Sequence, residues 1–241
     1  MEHQIIDANT IIGVHPTHHL DLSSERLLRD MEAYKIEMGL TLSTVGIFSD
    51  HVKGNEETLE LAKAEKRLVP VATVNPARYF GTGEDLRALR GSGFPICRLY
   101  PDEQGWPVDS AAVIHVVTQL AAQKLPVMIN AEGAGDASRI SRLMANYPAP
   151  VILCGISGAN LSEALALSAS RNIMVETHEL HVPGALESLA ERLGAERIVF
   201  GSGAPRRSIA ASLYYVMYSE MSDEQKQLVL GGNIKRVLEA A

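Results

Sequence analysis

Short apolar runs rich in Val, Ile and Leu recur along the chain, each followed by a polar or glycine-bearing loop and then by a longer stretch with apolar positions three and four apart. Runs of the first kind read as strands buried on both faces; stretches of the second kind read as helices with one buried side. The predicted strands are 3–8, 43–48, 68–74, 95–100, 126–131, 150–154, 173–176 and 197–200. Helices are predicted over 24–38 with Gly39 as the stop, 55–66 capped by Asn55, 84–89, 110–123, 136–147 capped by Asp136, 161–170, 183–193 and 208–218, with a capped start at Ser222 and a last helix over 233–238.

Eight strand and helix units in strict alternation, with no linker or low-complexity segment between them, belong to a parallel sheet covered by helices. The absence of a half-boundary favours a closed (β/α)8 TIM barrel over an open doubly wound sheet. The 241 residues fit one compact barrel domain spanning 1–241.

Composition narrows the function. Apolar residues make up 46% and charged residues 21%, enough for a large core and unlike a disordered chain. A formal net charge of −7, with no long basic run, argues against nucleic acid as a partner. Residues 1–20 lack a basic, apolar leader, and no run of 18 apolar residues occurs, so a cytoplasmic protein without a membrane segment is expected. Cys97 and Cys154 both lie inside predicted strands and no CxxC is present, which reads as two buried, reduced thiols. A homodimer is expected on general frequency alone.

The last strand runs into Gly201-Ser202-Gly203-Ala204-Pro205-Arg206-Arg207. The glycines permit a tight turn and Pro205 suits a first helical position, so this connection reads either as an ordinary strand-to-helix turn or as a seat for an anion beside two arginines. Ser202 lacks the Gly-x-Ser-x-Gly setting of a nucleophile.

In a parallel barrel the chemistry sits where strands end. The side chains collected there include Asp7, Asn9, Asn75, Arg98, Tyr100, Asn130, Glu132, Glu176, His178, Gly203 and Arg206. Asparagines, arginines and a few carboxylates suit a small anionic or amide-bearing molecule. Asn9, Asn75, Arg98, Tyr100, Asn130, Gly203 and Arg206 are the candidates to hold it. His178 is the candidate acid or base, oriented by Glu176 or Glu132. Arg98 lies between apolar Cys97 and Leu99, which turns it inward, where it needs an anionic partner: Glu132, Glu176 or a ligand carboxylate. Tyr100, Trp106 and the Tyr79-Phe80 pair either line a pocket or pack on helices.

The opening Ile5-Ile6-Asp7-Ala8-Asn9-Thr10-Ile11-Ile12-Gly13, then Val71-Ala72-Thr73-Val74-Asn75-Pro76, Arg98-Leu99-Tyr100-Pro101, Phe200-Gly201-Ser202-Gly203 and Gly232-Asn233-Ile234, resemble in order and spacing the landmarks of the amidohydrolase-related TIM-barrel hydrolases. That resemblance implies a metal-activated water held by five ligand positions. Here those positions carry Asn9, Ile11, Asn130, Gly155 and Gly203. The resemblance is therefore to a branch without the metal site, and neither a metal nor another cofactor is expected. Metal ligands relocated to His15, His18, His19, His178 or His181 would lack any regular spacing. The function expected is a metal-independent hydrolase or lyase acting on a small carboxylate or amide. The alternative is a pseudoenzyme, a non-catalytic barrel binding a metabolite or a partner.

Overall fold

The computed structural model describes residues 4–240. Eight parallel strands form one sheet in sequence order: β1 (Ile6–Ile12), β2 (Met38–Ser43), β3 (Leu68–Thr73), β4 (Ile96–Leu99), β5 (Val127–Asn130), β6 (Val151–Cys154), β7 (Ile173–Glu176) and β8 (Ile198–Val199). Helices between them cover the outside, giving a (β/α)8 TIM barrel. β8 is two residues long, so the barrel closes through the segment after it. The Ala8 N–H donates to the Phe200 carbonyl at 3.0 Å, Gly203 N–H to the Asn9 carbonyl at 2.8 Å, and Ile11 N–H to the Ala204 carbonyl at 2.9 Å.

Alternation along each strand sorts its side chains into two cores. Ile6, Ala8, Leu40, Leu42, Val71, Ile96, Met128, Ile152, Cys154, Met174 and Val199 fill the barrel, closed below by Ile234 and Val237. Ala72, Cys97, Leu99, Val127, Ile129, Val151, Leu153, Ile173 and Val175 face outward and pack under the helices. The same parity fixes the polar side chains. Arg98 follows Ile96, Asn130 follows Met128 and Glu176 follows Met174, each two residues on, so all three enter the barrel above its apolar fill. Both cysteines are free and buried, and burial pushes the Cys97 thiol up to about 12.

Several predicted elements are corrected. The second strand is Met38–Ser43, whereas Thr44–Phe48, read as strand from its apolar residues, is a short helix capped by the Ser43 hydroxyl, which accepts from Val45 N–H. Gly39 lies within that strand and does not end the first helix, which stops at Ala33. The third helix, His51–Ala64, is capped by Asp50, not Asn55; the Asn55 side chain instead bonds the Thr73 backbone in both directions. Asp136 is the first residue of its helix and Gly135 the cap. Pro205 follows a cis peptide bond, and the next helix, Ile209–Met217, begins beyond it. His3, where the first strand was expected to start, lies outside the described residues; the strand begins at Ile6.

Candidate active site

The ends of β1, β4, β5 and β7 bring Asn9, Arg98, Asn130 and Glu176 together, all four at most 3% exposed. Among the described residues Arg98 pairs directly with neither Glu132 nor Glu176, the two internal partners considered for it. Its Nη1 donates to Asn9 Oδ1 and its Nη2 to Asn130 Oδ1 at 3.0 Å. Each asparagine then turns its amide to a carboxylate. Asn9 Nδ2 donates to Glu176 Oε2 at 3.2 Å; Asn130 Nδ2 donates to Glu132 Oε1 at 3.1 Å and reaches both oxygens of Glu103 at 3.4 Å. The partners dictate the amide orientation, since a guanidinium only donates and a carboxylate only accepts. The two asparagines are thus adapters between one buried cation and the acids around it.

Glu176 is the anchor of His178. Its Oε1 accepts the His178 backbone N–H at 2.7 Å, and its Oε2 lies 2.5 Å from His178 Nδ1. Burial works against the Glu176 charge, but His178, its hydrogen bonds and Arg98 outweigh it and hold the carboxyl below its ordinary value. An ionised Glu176 requires the proton on Nδ1, which leaves the lone pair of a neutral His178 on Nε2. That atom is buried and has no hydrogen-bond partner; Glu179 Oε1 lies 3.8 Å away. Gly201 makes room for the dyad, because a Cβ there would overlap the Glu176 carboxylate. Gly203, at φ +75°, carries the turn past His178.

Two connected hollows open above these groups. A throat of about 20 Å³ is lined by Asn9, Arg98, Tyr100, Glu103, Gly203 and Arg206. Above it, an open basin of about 500 Å³ is bounded by His15, His18, Glu103, Glu132, Glu179, Arg206 and Arg207. Glu103 and Arg206 border both. Burial is the main cause raising the Glu132 carboxyl, with Glu103 adding to it. A larger cavity, about 570 Å³, lies at the opposite end of the barrel among Pro148, Pro150, Asn172 and Arg197, where barrel loops serve stability.

Of the candidates from sequence, Asn9, Arg98, Tyr100, Glu132, Gly203 and Arg206 line the two hollows, and Asn130, Glu176 and His178 are joined to them by hydrogen bonds. Asn75 does not: its side chain accepts from Ala77 N–H and caps the turn Pro76–Arg78. Trp106 is buried in the outer core and Phe80 is exposed to solvent, so neither borders the mouth. Ser202 donates its hydroxyl to Asp7 and accepts from Ala204 N–H, a structural role. His15 and His18 reach the basin, and His181 lies 3.5 Å from Ser212 Oγ. Among the described residues no three His, Cys, Asp or Glu side chains are grouped to hold a metal ion. Sequence reasoning passed over Glu103 and Glu179; Glu103 stands four residues past the end of β4, beyond the strand end where such residues were sought.

The amidohydrolase family profile matches residues 30–240. The chain belongs to the amidohydrolase family. Comparison with curated proteins gives no significant sequence match. Among solved structures, this amidohydrolase-family barrel is similar to 5-carboxyvanillate decarboxylase from Sphingomonas paucimobilis, with a TM-score of 0.77 and 13% identity over 99% of each chain. It is equally similar to 2,6-dihydroxybenzoate decarboxylase from Rhizobium, with a TM-score of 0.78 and 13% identity over 99% of each chain. A third is a probable 2-pyrone-4,6-dicarboxylic acid hydrolase from Acinetobacter baumannii with citric acid bound, at a TM-score of 0.76 and 12% identity, covering 98% of this chain and 99% of that one. These likenesses establish the shared fold. No helix among the described residues is long and apolar enough to cross a membrane.

Proposed function

We propose that the barrel mouth binds a small carboxylate-bearing molecule and that His178 transfers a proton to or from it, as a metal-independent hydrolase or lyase. The observation that carries this reading is the His178 ring: Nδ1 is fixed by Glu176 at 2.5 Å, while Nε2 is buried with no hydrogen-bond partner among the described residues, 3.8 Å from Oε1 of Glu179, which bounds the basin. A ring held at one nitrogen, with the other left without a hydrogen-bond partner, is the arrangement acid-base catalysis needs. In a hydrolysis, neutral Nε2 takes a proton from water as its oxygen attacks a carbonyl carbon, then returns that proton to the leaving group as the bond from the carbonyl carbon to that group breaks. In a decarboxylation, His178 enters doubly protonated: the bond from carbon to carboxylate breaks, CO2 leaves, and the Nε2 proton goes to the carbon that keeps the electron pair, leaving the neutral ring to take its next proton from solvent. Arg98 and Arg206 supply the positive charge for a carboxylate, and the names of the similar structures, decarboxylases and a dicarboxylic acid hydrolase, agree with that substrate class.

Donor chemistry supports a metal-free site. A catalytic divalent ion needs His, Cys or carboxylate donors around one point. At the positions where the family resemblance puts ligands, the Asn9 and Asn130 oxygens already accept from a guanidinium, Ile11 is apolar, and a Cβ on Gly155 would meet Glu132 Cγ at 2.5 Å.

The test joins two measurements on protein purified without a histidine tag. Metal content by inductively coupled plasma mass spectrometry should lie well below one equivalent after dialysis. Turnover of a panel of small aromatic and aliphatic carboxylates should fall at least about a hundredfold in His178→Gln, with ligand affinity retained. Stoichiometric zinc or manganese would overturn the metal-free reading. A His178→Gln protein that binds and turns over like the parent would overturn the catalytic one and favour a non-catalytic binding barrel.

A further inference from the structure

Two residues that line the throat each carry a buried polar atom with no hydrogen-bond partner among the described residues, Arg98 Nε and Tyr100 Oη. Both residues come from the end of β4, two positions apart, and the Arg98 guanidinium lies over the Tyr100 ring at 4.7 Å. Arg98 is only 3% exposed, and its two terminal nitrogens are taken by neutral amide oxygens. A buried guanidinium is ordinarily matched by an anion in contact, and an unpaired donor away from water is costly. Here the carboxylates of Glu176, Glu103 and Glu132 are all held one amide away, so the cation keeps an unmatched N–H, and the Tyr100 ring beneath it carries an unmatched hydroxyl.

The walls state what fits. At about 20 Å³ the throat has room for a water or for one or two ligand atoms, not for a bulky group. Arg206 borders it and adds positive charge, whereas Glu103 borders it and repels a second negative one. A singly charged, planar carboxylate end satisfies these limits better than a tetrahedral dianion such as sulfate or phosphate.

We propose that this throat is an oxyanion subsite, in which Arg98 Nε–H and Tyr100 O–H donate to a carboxylate oxygen of the ligand, and that the Arg98 guanidinium, seated between Asn9 and Asn130, is the resident cation of the barrel. The inference rests on reading the mouth as the ligand site, and it adds which end of the ligand points down and what grips it. The carboxylate oxygen enters the throat, and the remainder of the molecule occupies the basin against Glu132 and Glu179, whose Oε1 lies 3.8 Å from His178 Nε2.

The test uses formate, the smallest carboxylate, and the 1H–15N correlation of the arginine Nε–H groups in uniformly labelled protein. The Arg98 signal, assigned by its loss in Arg98→Lys, should move saturably with formate and stay still with equal concentrations of sulfate. Tyr100→Phe should weaken formate binding about tenfold, the share of one hydrogen bond to a carboxylate. An Arg98 signal indifferent to formate, formate binding of equal strength in Tyr100→Phe and Arg98→Lys, or displacement of the signal by one equivalent of zinc would overturn the proposal. Should Arg98→Lys fail to fold, Tyr100→Phe and the sulfate comparison decide alone, with the signal assigned by its response in Tyr100→Phe. Formate binding should survive His178→Gln. A silent throat with His178-dependent turnover sinks the subsite only, and a formate-binding throat with His178-independent turnover sinks the catalytic reading only.

Discussion

Asp7 on β1 and Ser202 beyond β8, 195 residues apart, are joined twice: the Ser202 backbone N–H and hydroxyl both donate to the Asp7 carboxylate, the first at 2.9 Å. This link ties the first strand to the last. Burial raises the Asp7 pKa from 3.8 to about 7, against the lowering effect of Ser202 and of the Asn9 N–H. Between about pH 4 and 7 the folded chain therefore holds a proton that the unfolded chain has released. The contribution of Asp7 to stability is full below about pH 4, falls as pH rises to 7, and is level above that. Denaturant titrations at pH 5 and pH 7.5 should show a loss on the order of a few kcal/mol toward the higher pH, reduced in Asp7→Asn. An unchanged slope in that variant would assign it to other groups.

Glu176 has the opposite sign. Its carboxyl is held below the ordinary 4.5, so the stability it confers is present above that value and disappears as pH falls through its lower folded value. Glu176→Gln keeps the shape but places an amide among three donors. At pH 7 it should lower unfolding free energy by about 2–4 kcal/mol, and the gap to the parent should narrow below about pH 4. Turnover should fall on the order of a thousandfold or more, because His178 loses its fixed tautomer. A variant as active as the parent would remove Glu176 from the proposed role.

Gly201 and Gly105 make a controlled comparison. At Gly201 an added Cβ meets the Glu176 carboxylate, whereas at Gly105, with φ +68°, nothing lies within 4 Å. Gly105→Ala should cost about 1 kcal/mol from backbone strain alone. Gly201→Ala should cost about 3 kcal/mol or more and disturb the His178 ring signals. Equal losses would mean that the Glu176 pocket yields easily.

Much of this was legible in the residues themselves. Alternating apolar runs and helical spacings reveal the barrel because each strand buries both faces, and the parity of Cys97, Arg98 and Leu99 alone turns Arg98 inward. Thr44–Phe48 misled because Val, Ile and Phe favour strand locally, while tertiary contacts decide otherwise: a Cβ on Gly46 would meet Thr73 Cγ2 at 2.6 Å, the mark of a helix pressed onto β3. Glu132 and Glu176, the internal partners considered for Arg98, are reached only through amides, for a related reason. Its amide adapters come from strands 89 and 32 residues away in sequence, and no spacing along the chain reveals which polar groups a closed sheet will bring into contact.

The short last strand has a consequence for the whole chain. Since β8 spans only two residues, the barrel is completed by the same turn that borders the throat, with Gly203 N–H bound to the Asn9 carbonyl. The seam where the sheet's beginning meets its end is therefore also the lip of the binding mouth. A molecule that touches Asn9 and Gly203 together acts as a clasp across that seam. Occupancy then reinforces a closure the backbone already makes, and the ligand becomes in effect an added staple on the barrel.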